Sequence, residues 1–192
     1  MRITGGLARG IALRSVRVAG LRPATSSLRQ AIFSFLSDYI MGQCFLDLFA
    51  GTGSYGLEAL SRGADSGIFV ESDREIAAIL EENLAAVCKS MGSNKESFIW
   101  NIDIFRLHTE RRFDLIFIDP PYETVRKCWG VILMTGVRLL RQREGSRIIL
   151  EMPGDLVLDE GVIQKDFGLR VLRHFKKRGR NSPTAMIFAP VV

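Results

Sequence analysis

From Cys44 onward the chain alternates short apolar runs with amphipathic ones, and this alternation limits the fold more than any other feature. Phe45-Leu46-Asp47-Leu48-Phe49, Gly67-Ile68-Phe69-Val70-Glu71, Ser97-Phe98-Ile99-Trp100, Phe113 to Ile118 and Ser146 to Glu151 read as strands. Between them lie helical stretches. One runs from Leu57 to Arg62. A longer one, capped by Asp73, carries Ile76, Ile79, Leu80, Leu84 and Val87 on one side, and a third runs from about Glu123 to Leu140. Strands alternating with helices imply a parallel sheet, joined by right-handed crossovers and covered on both faces. Two later strands, near 169–174 and 185–188, flank a basic segment. Ahead of this pattern, Leu28, Ile32, Leu36 and Ile40 recur at helical spacing behind the N-cap candidates Thr25-Ser26-Ser27, in a helix ending near Gly42. Residues 1–20, punctuated by glycines, read as a β-hairpin appendage to a main domain spanning 21–192.

With 192 residues, 47% of them hydrophobic, the chain can bury one full core. No apolar run approaches a membrane span, and the N-terminus lacks the apolar stretch of a signal peptide. Cys44, Cys88 and Cys128 are widely spaced without a CxxC, as expected of reduced cysteines in a cytoplasmic protein, and His108 and His174 are isolated, so no metal site is expected. The net charge of +5 is polarised. Residues 1–37 and 167–192 hold six basic residues each and no acid, which leaves the middle acidic. Such a field points to an anionic partner, most often nucleic acid.

Gly51-Thr52-Gly53-Ser54-Tyr55-Gly56 fits G-x-G-x-x-G between a strand and a helix, and Glu71 lies twenty residues after Gly51. Glycines there let a ligand approach the backbone, and the carboxylate suits ribose hydroxyls. Dinucleotide dehydrogenases share this arrangement, so the other strand ends matter more. Asp47, Glu71, Asp103 and Asp119 all fall at or near carboxyl ends of strands, which share one edge of such a sheet. Four carboxylates disfavour a pyrophosphate and suit a ligand with an ammonium, a sulfonium, a ribose and an adenine, namely S-adenosylmethionine. The expected contacts are Glu71, with Ser72, on the ribose and Asp103, with Ile104, on the adenine. The segment containing Asp47, Phe49, Gly51 and Gly53 would face the methionine end. Asp103 is equally suited to capping a helix.

The loop Asp119-Pro120-Pro121-Tyr122 closes the fourth strand. Its prolines stiffen it. The Asp119 carboxylate and Pro120 carbonyl are placed to accept the hydrogens of an exocyclic amine, while Tyr122 stacks on the base that carries it and Pro121 adjoins. Arg22, Arg29, Lys176, Lys177, Arg178 and Arg180 are the candidate phosphate contacts.

Asp47-Leu48-Phe49-Ala50-Gly51-Thr52-Gly53 resembles the cofactor motif of class I S-adenosylmethionine-dependent methyltransferases, and Asp119 to Tyr122 resembles the catalytic motif of those acting on exocyclic amino groups. The longer string from Asp47 to Ala64, with Arg2-Ile3-Thr4-Gly5-Gly6 and Leu21-Arg22-Pro23, is similar to the RsmD family of 16S rRNA (guanine-N2)-methyltransferases. Ser26-Ser27 and Gln30 depart from that family's pattern. The resemblance implies a Rossmann-like, doubly wound, mostly parallel seven-stranded sheet with a small N-terminal hairpin and helix. It also implies a monomer acting on 16S ribosomal RNA or a small-subunit particle. The residues alone leave open an adenine-N6 or other amino methyltransferase on DNA or RNA, a nicotinamide-dependent oxidoreductase, and a non-catalytic RNA-binding module.

Overall fold

The computed structural model describes residues 1–15, 26–176 and 182–192. Its centre is a seven-stranded sheet in the order β3-β2-β1-β4-β5-β7-β6. The strands are β1 (Cys44–Leu48), β2 (Ser66–Val70), β3 (Glu96–Trp100), β4 (Leu115–Ile118), β5 (Arg147–Pro153), β6 (Leu169–Phe175) and β7 (Pro183–Pro190). β1 to β5 are parallel, and β7 runs antiparallel to both of its neighbours. The central strands are buried on both faces, so they read as continuous apolar runs.

Alternation along each strand sorts the side chains into two cores. Phe45, Phe69, Phe117, Ile149 and Ile187 face α1 (Ser26–Phe35), α2 (Gly56–Ser61) and α3 (Arg74–Met91). Leu46, Val70, Ile116, Ile148 and Phe188 face α4 (Tyr122–Leu139) and α5 (Glu160–Phe167). Asp73 caps α3 through Glu75 N and Ile76 N at 2.8 and 3.1 Å, and Gly92, at φ 64°, ends it. α5 was not anticipated; Asp159 caps it through Val162 N, and Gly168 ends it.

Three expectations change in detail. The first helix stops at Phe35 and tightens into a 3-10 turn over Ser37–Tyr39, which lets Leu36 and Ile40 both reach the core. The fourth strand starts at Leu115, because Asp114 turns its side chain onto Cys44 N and Phe113 bridges Leu140 instead. Residues 1–15 form a loop closed by a single antiparallel bridge, Arg2–Ala12, rather than two strands. That loop is built into the α1–α3 core through Ile3, Ala8 and Leu13. Among the described residues no helix is long and apolar enough to cross a membrane.

Candidate active site

The strand ladders bring the site together at one edge. Leu48 pairs with Val70 and with Ile118, and Ile118 pairs with Leu150. The next residues, Phe49, Glu71, Asp119 and Glu151, therefore stand in one row across β1, β2, β4 and β5; the first three lie just past their strands, while Glu151 stays within β5 and pairs with Ala185. By strand alternation, Asp47, Asp119 and Glu151 share the face that carries Phe45, Phe117 and Ile149. Tyr55, in the turn before α2, rises on this face. Its ring stacks on Phe117 at 5.6 Å and on Phe33 at 6.2 Å, and its Oη donates to Glu151 Oε2 at 2.6 Å.

Three carboxyl groups packed this closely under low solvent exposure resist ionising together. Burial pushes Asp119 well above the carboxylate range; the Glu151 and Asp47 charges push it further, and Arg29 opposes them. Burial raises Glu151 to about 7, against the Tyr55 hydrogen bond and Arg29. Burial likewise raises Asp47 to about 7, offset by the Gly56 N–H and reinforced by Glu71. A carboxyl whose folded value exceeds its unfolded one stabilises below the unfolded value and loses that contribution as pH rises through the folded one. For Asp47 the window runs from about 4 to about 7. Asp47→Asn, which keeps an acceptor for Gly56, is thus expected to raise Tm by several degrees at pH 8 relative to the parent and by little at pH 4. An equal change at both pH values would contradict this titration.

The glycine turn is held from two sides. Asp47 Oδ2 accepts the Gly56 N–H from beneath at 2.8 Å, and Glu71 Oε2 accepts the Gly51 N–H at 2.8 Å. Gly53 sits at φ 92°, where a Cβ would lie 2.5 Å from Leu80 Cδ1, and a Cβ on Gly56 would enter the Phe69 and Phe45 rings. The turn is thus close-packed below. Beside it Phe49, Glu71, Ser72, Ile102, Asp103 and Ile104 line a narrow cleft of about 40 Å³. Phe49 holds a left-handed backbone, φ 62°, alone among the described non-glycine residues. Asp103 does what a cap does, accepting from Phe105 N at 2.9 Å, and it also lines the cleft. Five expected cofactor contacts, Phe49, Glu71, Ser72, Asp103 and Ile104, therefore meet around one cavity.

The Asp119 loop is rigid for a further reason. Pro121 is the N-cap of α4, and its carbonyl takes the N–H groups of Thr124 and Val125 at 2.9 and 3.0 Å. The Pro120 carbonyl lies one residue before that ladder. Pro121 is exposed and Tyr122, the first helical residue, is half-buried. On the far side of the sheet, Phe175 pairs with Ala185, and Ala185 with Glu151, so exposed Lys176 leaves β6 on the same edge as the loop.

Two expected roles are corrected. Arg29 is 0% exposed and cannot meet a phosphate in this structure. Its guanidinium lies 3.6 Å from Glu58 and donates to Met1 Sδ and the Arg2 carbonyl. Asp47 is 1% exposed and shapes the glycine turn from below rather than facing the cleft. Arg22, Lys177, Arg178 and Arg180 lie outside the described residues. Glu151 and Tyr55 were not anticipated as site residues. The available signal was Glu151's position as a carboxylate at the end of the fifth strand, beside the strand that ends at Asp119.

Sheet order, glycine turn and carboxylate edge together define a Rossmann-like methyltransferase. Residues 1–160 match the model of the family described as Conserved hypothetical protein 95, and the chain belongs to that family. It is 32% identical to the putative rRNA methyltransferase YlbH of Bacillus subtilis over 93% of this chain and 100% of that one. It is 36% identical to ribosomal RNA small subunit methyltransferase D of Escherichia coli, over 64% of this chain and 60% of that one. A solved Escherichia coli structure, putative methyltransferase yhhF, superimposes with TM-score 0.72 at 26% identity, covering 98% of this chain and 96% of that one.

Proposed function

We propose that this protein transfers a methyl group from S-adenosylmethionine to the exocyclic N2 amine of a guanine in small-subunit ribosomal RNA, acting as a cytoplasmic monomer. The observation that carries the proposal is the half-buried Asp119 carboxyl, at the head of a proline-stiffened loop beside the glycine turn and the Phe49–Asp103 cleft. The names of the family relatives support ribosomal RNA of the small subunit as substrate, and the choice of the guanine amine rests on the resemblance of the sequence motifs.

The residues fit the cofactor. Each Glu71 oxygen already accepts one backbone N–H, from Gly51 and from Asp73, and keeps acceptor capacity for a ribose hydroxyl. Phe49, expected at the methionine end, lines the same cleft as Ile104; the two are apolar walls for a flat purine, and Asp103 is an acceptor beside them. Bound there, S-adenosylmethionine supplies an electrophilic methyl group on sulfur.

The chain's own work is positioning and proton handling. An amine conjugated to a purine has a delocalised lone pair and is a poor nucleophile. Asp119 and the Pro120 carbonyl accept its two hydrogens, favour its pyramidal form and aim the lone pair, a gain of the near-attack kind. Tyr122 stacks on the base, worth roughly 1–3 kcal/mol. The proton released by the methylated nitrogen goes to the ionised form of Asp119, whose protonated state burial and the Glu151 and Asp47 charges favour.

Calorimetry with S-adenosylmethionine is the first test: the parent is expected to bind and Glu71→Ala to bind at least tenfold more weakly. Tight binding of a nicotinamide dinucleotide with none of S-adenosylmethionine would sink the proposal. Mass-spectrometric mapping of ribosomal RNA from a deletion strain should then show one guanine lacking its N2 methyl; loss of an adenine methyl instead would reassign the base.

A further inference from the structure

The edge of the sheet opposite the catalytic row gathers arginines from the middle of the chain. Asp114, 2% exposed at the start of β4, anchors them: its carboxylate accepts the Cys44 N–H at 3.0 Å and pairs with Arg141 and Arg143, each at 2.6 Å. Both guanidinium groups remain substantially open to solvent, with side chains 42% and 56% exposed. A buried acid thus fixes two outward-facing cations, which removes much of the rotamer entropy a ligand would otherwise have to freeze.

Each of the two arginines lines a separate cavity. Arg141 joins Arg111 and Arg112 around one of about 360 Å³, where Arg111 lies 5.9 Å from the centroid of the Phe98 ring, itself 45% exposed on the edge strand β3. Arg143 joins Arg147 and Arg170 around one of about 440 Å³. One acid lines each cavity, Glu96 in the first and Glu144 in the second. Six arginines against three acids, one of them spent on holding two of the arginines, leave this edge net positive.

We infer that this edge is a second RNA-binding surface, engaging the phosphate backbone of a different part of the same large RNA whose base is methylated at Asp119. The inference rests on the RNA substrate proposed above. At a rise of about 3.3 Å per residue, Asp114 and Asp119 stand roughly 16 Å apart along β4. The two edges lie at opposite ends of the strands and face away from each other, so a short single strand seated at the catalytic edge would have to bend round the helix layers to touch the other. A folded RNA or ribonucleoprotein particle wider than the enzyme reaches both. The surface therefore selects for substrate bulk, while the Asp119 loop handles the base.

The test uses the full chain carrying Arg111→Glu with Arg112→Glu, both exposed and away from the catalytic residues. Small-subunit particles from a strain lacking the enzyme, and a short RNA hairpin containing the methylated site, are the two substrates. On particles the variant is expected to show KM raised on the order of tenfold, kcat unchanged, and a plot of log affinity against log salt shallower by about 2, as for two lost phosphate contacts. On the hairpin KM is expected to stay at the parent value, and Arg111→Lys with Arg112→Lys should restore particle binding. Unchanged KM and salt slope on particles would overturn the inference, as would an equal loss on the hairpin. Failure of the parent to methylate either substrate would refute the proposed function instead, and the salt slope of particle binding would still decide the surface.

Discussion

Asp119→Ala is expected to slow methyl transfer by on the order of 10²–10³-fold while leaving S-adenosylmethionine affinity within about threefold of the parent. The split follows from the geometry. The proposed cofactor cleft is lined by Phe49, Glu71, Ser72 and Asp103 and not by Asp119, which sits across the row at the head of the proline loop. The same substitution is expected to leave Tm unchanged or raise it, because the Asp119 carboxyl is pushed up by burial and by two neighbouring carboxylates, so its ionised form opposes folding at neutral pH. Single-turnover methyl transfer, cofactor calorimetry and a thermal melt read the three quantities. A variant that retained near-normal turnover would remove Asp119 from the chemistry. One that lost turnover together with several degrees of Tm would make it a structural residue.

Glu58→Ala should give the largest loss of stability, about 3–5 kcal/mol in urea unfolding. The Glu58 side chain is fully buried on α2. One oxygen accepts from Thr4 Oγ1 at 2.6 Å and Arg62 Nε at 2.8 Å; the other accepts the Thr4 N–H at 2.8 Å and lies 3.6 Å from Arg29 Nε. Removing it strands a buried guanidinium on α1 and releases the N-terminal loop from α2. Breaking such a pair costs more than forming it contributes, since the surviving charge stays desolvated. An unchanged midpoint would mean that Ile3, Ala8 and Leu13 hold the N-terminal loop by apolar packing alone.

The parts of this molecule that were readable in the sequence are those whose cause is local. The glycine turn, the Asp73 cap and the Asp119 loop each carry their geometry within a few residues. β1, β2, β4, β5 and β7 could be placed because a strand buried on both faces is an apolar run whatever its neighbours, whereas the half-exposed edge strands β3 and β6 show only short apolar stretches. Partnership over long sequence separation was not readable. Arg29 looks like any basic residue of a basic segment until Glu58, on another helix, is seen beside it. Arg141 and Arg143 look like a charged linker until Asp114 binds both. The reversed direction of β7, and its insertion between β5 and β6, depend on which edge is vacant when the chain returns, and no residue within 183–190 encodes that.

That insertion sets an order of assembly. β6 is synthesised before β7 yet reaches the sheet only by pairing with it, so until residues 183–190 are made β5 presents an open edge and β6 has no neighbour. The pairing of Ala185 with Glu151 falls at the carboxylate row proposed for catalysis. The carboxyl that hydrogen-bonds Tyr55 and presses on Asp119 therefore acquires its dry surroundings only when the last strand slots in. The residues lining the Phe49–Asp103 cleft come from β1 to β3 and the turns that follow them, and are made well before β7, whereas the surroundings of Glu151 are complete only once residues 183–190 have paired with β5.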